Sequence, residues 1–77
     1  MIKIVQIPLS RALSPAEEIR MSDERFAHQV KAEFRHYHED MCAEMDALLA
    51  DGYVAMGAPV LNPDSPYNFL VWTLHKP

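Results

Sequence analysis

Residues 48–77 read LLADGYVAMGAPVLNPDSPYNFLVWTLHKP, and this stretch decides the fold of the chain. A leucine pair ends a helical pattern, and Gly52 follows where a left-handed helix C-cap is expected. Residues 53–58 form a short apolar run that Pro59 ends, and residues 67–75 form a longer one. We therefore expect a helix end, a turn and two strands in direct succession.

The final run is apolar on both of its faces. Side chains alternate along a strand, and here the two faces are Phe69, Val71 and Thr73, and Leu70, Trp72 and Leu74. A strand of this kind is usually covered on both sides. We therefore expect it to be the central strand, paired antiparallel with a strand on either side.

The first part of the chain predicts a strand and a connector. Residues 1–7 are rich in β-branched side chains, with Ile2 and Ile4 on one side, and we expect this strand to end at Pro8. Residues 9–21 form either a connector or a short helical turn. The helical turn is indicated by Ser14, which precedes a proline and stands three residues before Glu17, as in a capping box.

A long amphipathic helix is predicted from Asp23 to Ala50. Its apolar residues recur at steps of three and four, which places them in one stripe: Val30, Phe34, Tyr37, Met41, Met45 and Leu48. The expected fold is α+β, a single domain over residues 1–77. Its order is β-α-β-β, with a three-stranded antiparallel sheet, one long helix on one face and the last strand central.

One helix can cover only one face of such a sheet. A chain of 77 residues has a thin core, and Cys42 is its single cysteine, so no internal disulfide is available. We therefore expect a homodimer or a higher oligomer that covers the other face, unless residues 9–21 cover it. The predicted interface residues are Tyr53, Tyr67, Phe69, Val71 and Trp72.

Charge and hydropathy disfavour several functions. The net charge is −4, and the seven Lys and Arg residues are scattered, so no nucleic-acid binding is expected. No apolar run reaches about 18 residues and no signal-peptide pattern is present, so we expect no membrane insertion and a cytoplasmic location.

Residues 48–76 resemble small bacterial domains of unknown function, the families DUF1737 and, more loosely, DUF4177. The resemblance lies in the Leu48-to-Tyr53 turn, in the Met56-Gly57-Ala58-Pro59 step and in the final strand before Lys76. Tyr53 stands where those families commonly have tryptophan, and Ala58 where they often have serine. The resemblance implies the strand and turn order, and no activity.

No catalytic residues and no cofactor are predicted. His38 and Cys42 lie one helical turn apart and are the candidate metal ligands, but a zinc site takes about four ligands. A second copy of the chain would have to supply the other two. Cysteine chemistry with His38 as the base is disfavoured, because both residues lie in the middle of a helix, where the backbone N–H groups are already used.

The sequence favours a small acidic, oligomeric protein-binding domain without catalysis, such as an accessory protein of a phage or mobile element. The predicted partner-binding residues come from the helix and from a loop at residues 59–66: Glu39, Asp46, Asn62, Asp64 and Ser65. The alternative is a dimeric α+β protein or enzyme that binds a small molecule or metal in a cleft near Tyr37, His38 and Trp72.

Overall fold

The chain runs strand, helix, helix, strand, strand, strand, and a computed structural model describes all of residues 1–77. The elements are β1 (Ile2–Arg11), α1 (Pro15–Arg20), α2 (Glu24–Ala50), β2 (Val54–Ala55), β3 (Val60–Asp64) and β4 (Tyr67–His75). The predicted α+β fold is confirmed, with four antiparallel strands in place of three. Neither helix combines the length and the hydrophobicity that crossing a bilayer requires.

Strand β4 is central, as the sequence predicts. It pairs with β1 along one side, and with β2 and β3 along the other. Val5 lies opposite Trp72, and Val60 lies opposite Val71. Because paired residues share a face of a sheet, this register determines which side chains lie on each side.

Strand β1 does not end at Pro8, contrary to our expectation. It continues to Arg11, with an irregularity in pairing between Pro8 and Ser10 that leaves Leu9 as an extra residue. An edge strand pairs on one side only, so it tolerates a proline that a central strand would exclude. The extra residue is typical of a β-bulge, which increases the local twist of the sheet.

Residues 59–66 do not form the predicted loop. Val60–Asp64 is strand β3, paired with β4, and the turn at Ser65 and Pro66 joins the two strands. Pro63 is accommodated for the same reason as Pro8, because β3 is an edge strand. The hairpin therefore widens the sheet instead of projecting from it.

The long helix begins and ends where the sequence predicts. The Asp23 carboxylate accepts a hydrogen bond from the Arg25 N–H at 2.9 Å and caps its start. At its end Gly52 has φ +95°, and the Tyr53 N–H donates to the Leu48 carbonyl at 3.1 Å. This Schellman-type bond reverses the chain and directs Tyr53 into the core.

The core is small and lies between α2 and the strands. Its buried residues are Val5, Ile7, Tyr53 and Leu74, and the side chains packed on them are Met41, Cys42, Met45, Leu48 and Trp72. Helix α2 packs mainly on β1. Six of the 77 residues are buried, so little apolar surface is available to stabilise one isolated copy.

Candidate functional site

One face of the sheet is apolar and uncovered. We call it the open face. By the pairing register and side-chain alternation it is mostly apolar and consists of Ile2, Ile4, Gln6, Val54, Val60, Val71, Thr73 and His75. Ile2, Ile4 and Val60 are 60%, 62% and 65% exposed. These side chains are exposed with residues 9–21 in place, so that segment does not supply the missing cover.

The shape of the chain leaves much surface exposed. Its radius of gyration is 15.3 Å, whereas a compact domain of this length has about 11.5 Å. Its accessible surface is 5440 Å², compared with about 4,800 Å² for a compact monomer of this mass. The excess of roughly 600 Å² approaches the roughly 800 Å² that each partner contributes to a standard protein interface.

The predicted interface residues fall into two groups. Tyr53 and Phe69 are each only 5% exposed, so a single copy of the chain already buries them. Tyr67, Val71 and Trp72 are half-buried. Val71 lies on the open face, whereas Trp72 packs against the core on the helix side of the sheet. The predicted set thus mixes core residues with residues that retain exposed surface.

Phe69 is buried at the end of the sheet beside the bulge, where it contacts Tyr37 of α2. Its ring lies 6.1 Å from the Tyr37 ring of α2 and 5.6 Å from the Tyr67 ring, both measured between centroids. Phe69 pairs with Pro8 beside the irregular part of β1, where a bulge adds twist. The helix therefore covers this end of the second face and leaves the rest open.

The predicted partner-binding residues are all exposed. Asn62 and Asp64 lie on β3 and Ser65 begins the turn after it, while Glu39 and Asp46 project from α2. The residues on the hairpin and those on the helix belong to different elements. Their role in binding a partner stays a prediction.

His38 and Cys42 are neighbours, as their spacing predicts. The Cys42 Sγ atom lies 3.5 Å from Nε2 of His38, and Nδ1 of His38 lies 2.7 Å from the Pro8 carbonyl oxygen. No group of three or more His, Cys, Asp or Glu side chains that could hold a metal ion is present. The pair joins α2 to β1, and within one copy it has no further ligand.

The cavity of the molecule lies away from the cleft predicted near Tyr37, His38 and Trp72. It has a volume of about 240 Å³ and opens between the end of β1, the connector and the first half of α2. Its lining residues are Arg11, Leu13, Met21, Val30, Lys31 and Phe34. We call it the Arg11 cavity.

Arg11 is fixed on one side and unsatisfied on the other. Its Nη2 donates to Oε2 of Glu17 at 2.7 Å, while Nη1 is buried and has no acceptor within hydrogen-bonding geometry. The hydrogen bond to Glu17 raises the pKa of Arg11 against the opposing effect of desolvation, and Tyr67 adds a smaller contribution. A buried donor without an acceptor costs about 1–3 kcal/mol.

Glu17, the partner of Arg11, also belongs to the capping box of α1. The Ser14 N–H donates to Oε1 of Glu17 at 3.0 Å, and the Glu17 N–H donates to the Ser14 hydroxyl at 3.2 Å. The Ser14 backbone hydrogen bond, followed by that of Arg11, lowers the pKa of Glu17 to about 2. This capping box was predicted, whereas its link to Arg11 was not, because nothing local in the sequence pairs the two side chains.

Comparison with protein family models, with curated proteins and with solved structures gave no match. The resemblance of residues 48–76 to the DUF1737 and DUF4177 domains stays a prediction.

Proposed function

We propose that the chain is a small non-catalytic accessory protein that forms a homodimer and binds a protein partner. The supporting observation is the open face, where Ile2, Ile4 and Val60 are each at least 60% exposed. In a two-fold dimer the same surface of each copy meets its equivalent. The open face of a second copy is apolar in the same way and is therefore a suitable cover.

The composition of the open face favours this occupant. Its residues include no Asp, Glu, Lys or Arg, and Gln6 and His75 are polar, so covering it removes no carboxylate, ammonium or guanidinium group from water. Burying about 400 Å² of apolar surface per subunit is worth on the order of 10 kcal/mol per subunit before the costs of association. An edge-to-edge arrangement would leave this face in water, so we favour packing of face on face.

The acidic part of α2 is proposed as the surface for a protein partner. Residues 39–51 carry five Asp and Glu and no Lys or Arg. Asp40 and Glu44 are one turn apart and repel each other, and the last turn has no basic residue to match the helix dipole. Glu39 pairs with Arg35 at 3.9 Å and Asp51 with Lys76 at 3.3 Å. The other three acids, Asp40, Glu44 and Asp46, have no basic partner within the chain, which is consistent with a role toward a basic partner.

The dimer is tested by the mass of the protein in solution. Light scattering at tens of micromolar should give the mass of two copies for wild type and of one copy for Ile4→Lys, because the substitution places a charge in the apolar interface. Ile19→Lys is the matched control, since Ile19 is 76% exposed on α1, away from the open face. A wild-type monomer at this concentration, or equal effects of the two variants, would contradict the proposal.

The acidic surface is tested by stability and binding together. Glu44→Gln and Asp46→Asn should leave the stability unchanged or raise it by about 0.2–0.5 kcal/mol each, since repulsion is relieved. Both should weaken binding to a basic protein partner recovered with wild type. A loss of stability would show instead that these carboxylates serve folding.

A further inference from the structure

The Arg11 cavity combines apolar walls with two basic side chains. Leu13, Met21, Val30 and Phe34 supply the walls, and Arg11 and Lys31 supply the positive charges. Only Arg11 has a carboxylate partner, Glu17, at 2.7 Å, so the lining has a net positive charge of one after this pair. Such a site favours a ligand with an apolar body and one negative charge.

The guanidinium of Arg11 indicates which anionic group would be bound. Its Nη2 already donates to Glu17, and Nη1 is the one buried side-chain nitrogen or oxygen of the chain without a hydrogen-bond partner. A carboxylate accepts hydrogen bonds from guanidinium groups in a favourable planar geometry. Because Nη1 has no contact with solvent, the guanidinium has to turn slightly toward the cavity when the ligand enters.

We propose that the Arg11 cavity binds a small organic acid with an apolar aliphatic or aromatic body and a single carboxylate. The carboxylate accepts from Arg11 and lies within the field of Lys31, and the body packs against the apolar walls. The volume of about 240 Å³ is below the roughly 300–1,000 Å³ of pockets for drug-sized ligands. This size limits the ligand to a short chain or one ring.

The site is independent of the proposed dimer interface. Its residues come from the end of β1, the connector, the end of α1 and the first half of α2, and none belongs to the open face. A variant that dissociates the dimer should therefore still bind the acid. Failure of the dimer proposal and failure of the ligand proposal are thus distinguishable.

The test uses 3-phenylpropanoate and its neutral analogue 3-phenylpropanamide, which differ only in the charged group. Calorimetry or NMR titration of the full chain should give saturable binding of the acid, with a Kd on the order of 1 mM or tighter, and shifts of the Leu13 and Val30 methyl signals. The acid should bind about tenfold more tightly than the amide, because its hydrogen bond involves two charged groups.

Two variants locate the charge that is recognised. Arg11→Gln should weaken binding of the acid about ten- to a hundredfold and that of the amide less, because the amide carbonyl is an uncharged acceptor. Lys31→Met should weaken it about two- to fivefold, because Lys31 is exposed and screened. Lys3→Met removes the same charge from β1 outside the cavity and should have no effect. If Arg11→Gln fails to fold, Lys31→Met and the acid-to-amide comparison still show whether the cavity recognises the charge of the ligand.

Three outcomes would contradict the ligand proposal. Equal affinity of acid and amide would show that the cavity binds apolar groups without discriminating between a charged and a neutral ligand, which overturns the proposal. The absence of shifts at Leu13 and Val30 up to the solubility limit of the acid does so as well. A dimer structure in which a side chain of the second copy fills the cavity would also overturn it.

Discussion

His38 contacts Cys42 through one ring nitrogen, Nε2 to Sγ at 3.5 Å, and the Pro8 carbonyl through the other, at 2.7 Å. A carbonyl oxygen can only accept a hydrogen bond, so Nδ1 carries the proton and donates it. In the neutral imidazole Nε2 is then an acceptor for the Cys42 thiol. The geometry therefore assigns the tautomer, and His38 connects the middle of α2 to the bulged part of β1.

Removal of this connection should destabilise the fold. His38→Ala leaves the Pro8 carbonyl without its partner, and we expect the free energy of unfolding in urea to fall by about 1–3 kcal/mol. His36→Ala is the matched control, since His36 is exposed on the same helix and should change stability by about 0.5 kcal/mol or less. Equal losses in the two variants would show that helix composition alone matters.

Low pH should weaken the attachment of α1 to β1, because it protonates Glu17, the partner of Arg11. The pKa of Glu17 is lowered from 4.5 to about 2 in the folded chain, so the unfolded chain takes up this proton at higher pH than the folded one. The stability contributed by this carboxylate is complete above about pH 4.5 and is lost as the pH falls to about 2.

Thermal unfolding measured across this pH range tests the assignment. Glu17→Gln should remove this component of the pH dependence, because an amide does not titrate there. Glu18→Gln is the control, since the Glu18 side chain makes no hydrogen bond to Ser14 or Arg11, and its profile should follow that of wild type. If both variants keep the wild-type slope, other carboxylates are responsible.

The features predicted correctly from sequence are those set by neighbouring residues. The three- and four-residue spacing from Val30 to Leu48 defines α2, and Ser14 and Glu17 define the start of α1. The central position of β4 was predicted from its two apolar faces, since a strand of this kind is usually covered on both sides. Each of these patterns acts over one turn of a helix or a few residues of a strand.

The wrong predictions concern position in the sheet. Pro8 was expected to end a strand and Pro63 to lie in a loop, yet both lie inside edge strands, and a local pattern does not state which strands are edges. The Arg11 cavity depends on how the connector lies against α2, and Arg11 meets Glu17 across six positions of the chain. Tertiary placement, not propensity, decides these features.

The reversal after α2 should depend on glycine. Gly52 has φ +95°, and a Cβ there would meet only the Lys76 Cε atom at 3.8 Å, which is an ordinary contact. Conformational strain is therefore the dominant cost of Gly52→Ala, about 1–2 kcal/mol in urea unfolding. Gly52→Asn should cost less, since asparagine adopts this conformation more readily. A larger cost for Asn than for Ala would point to a steric cause.

Leu74 and Leu61 differ in burial, since one lies in the core and the other at the exposed edge of the sheet. Leu74 has no exposed surface, whereas Leu61 on β3 is 67% exposed. Leu74→Ala leaves a cavity and should lower stability by about 2–5 kcal/mol at every protein concentration. So large a loss would leave much of a 77-residue chain unfolded, since domains of this size have little stability in reserve.

The same change at Leu61 reports on a partner. For an isolated copy, Leu61→Ala should alter stability by about 0.5 kcal/mol or less, because its side chain stays in water. Stability of a dimer depends on protein concentration, so denaturation should be measured at both low and high micromolar protein. If the cost of Leu61→Ala appears only at the higher concentration, the interface extends beyond the open face, around the β3 edge to Leu61. An equal, small cost at both concentrations confines the interface to the open face, and a large cost at both would mean that Leu61 belongs to the core of the single chain.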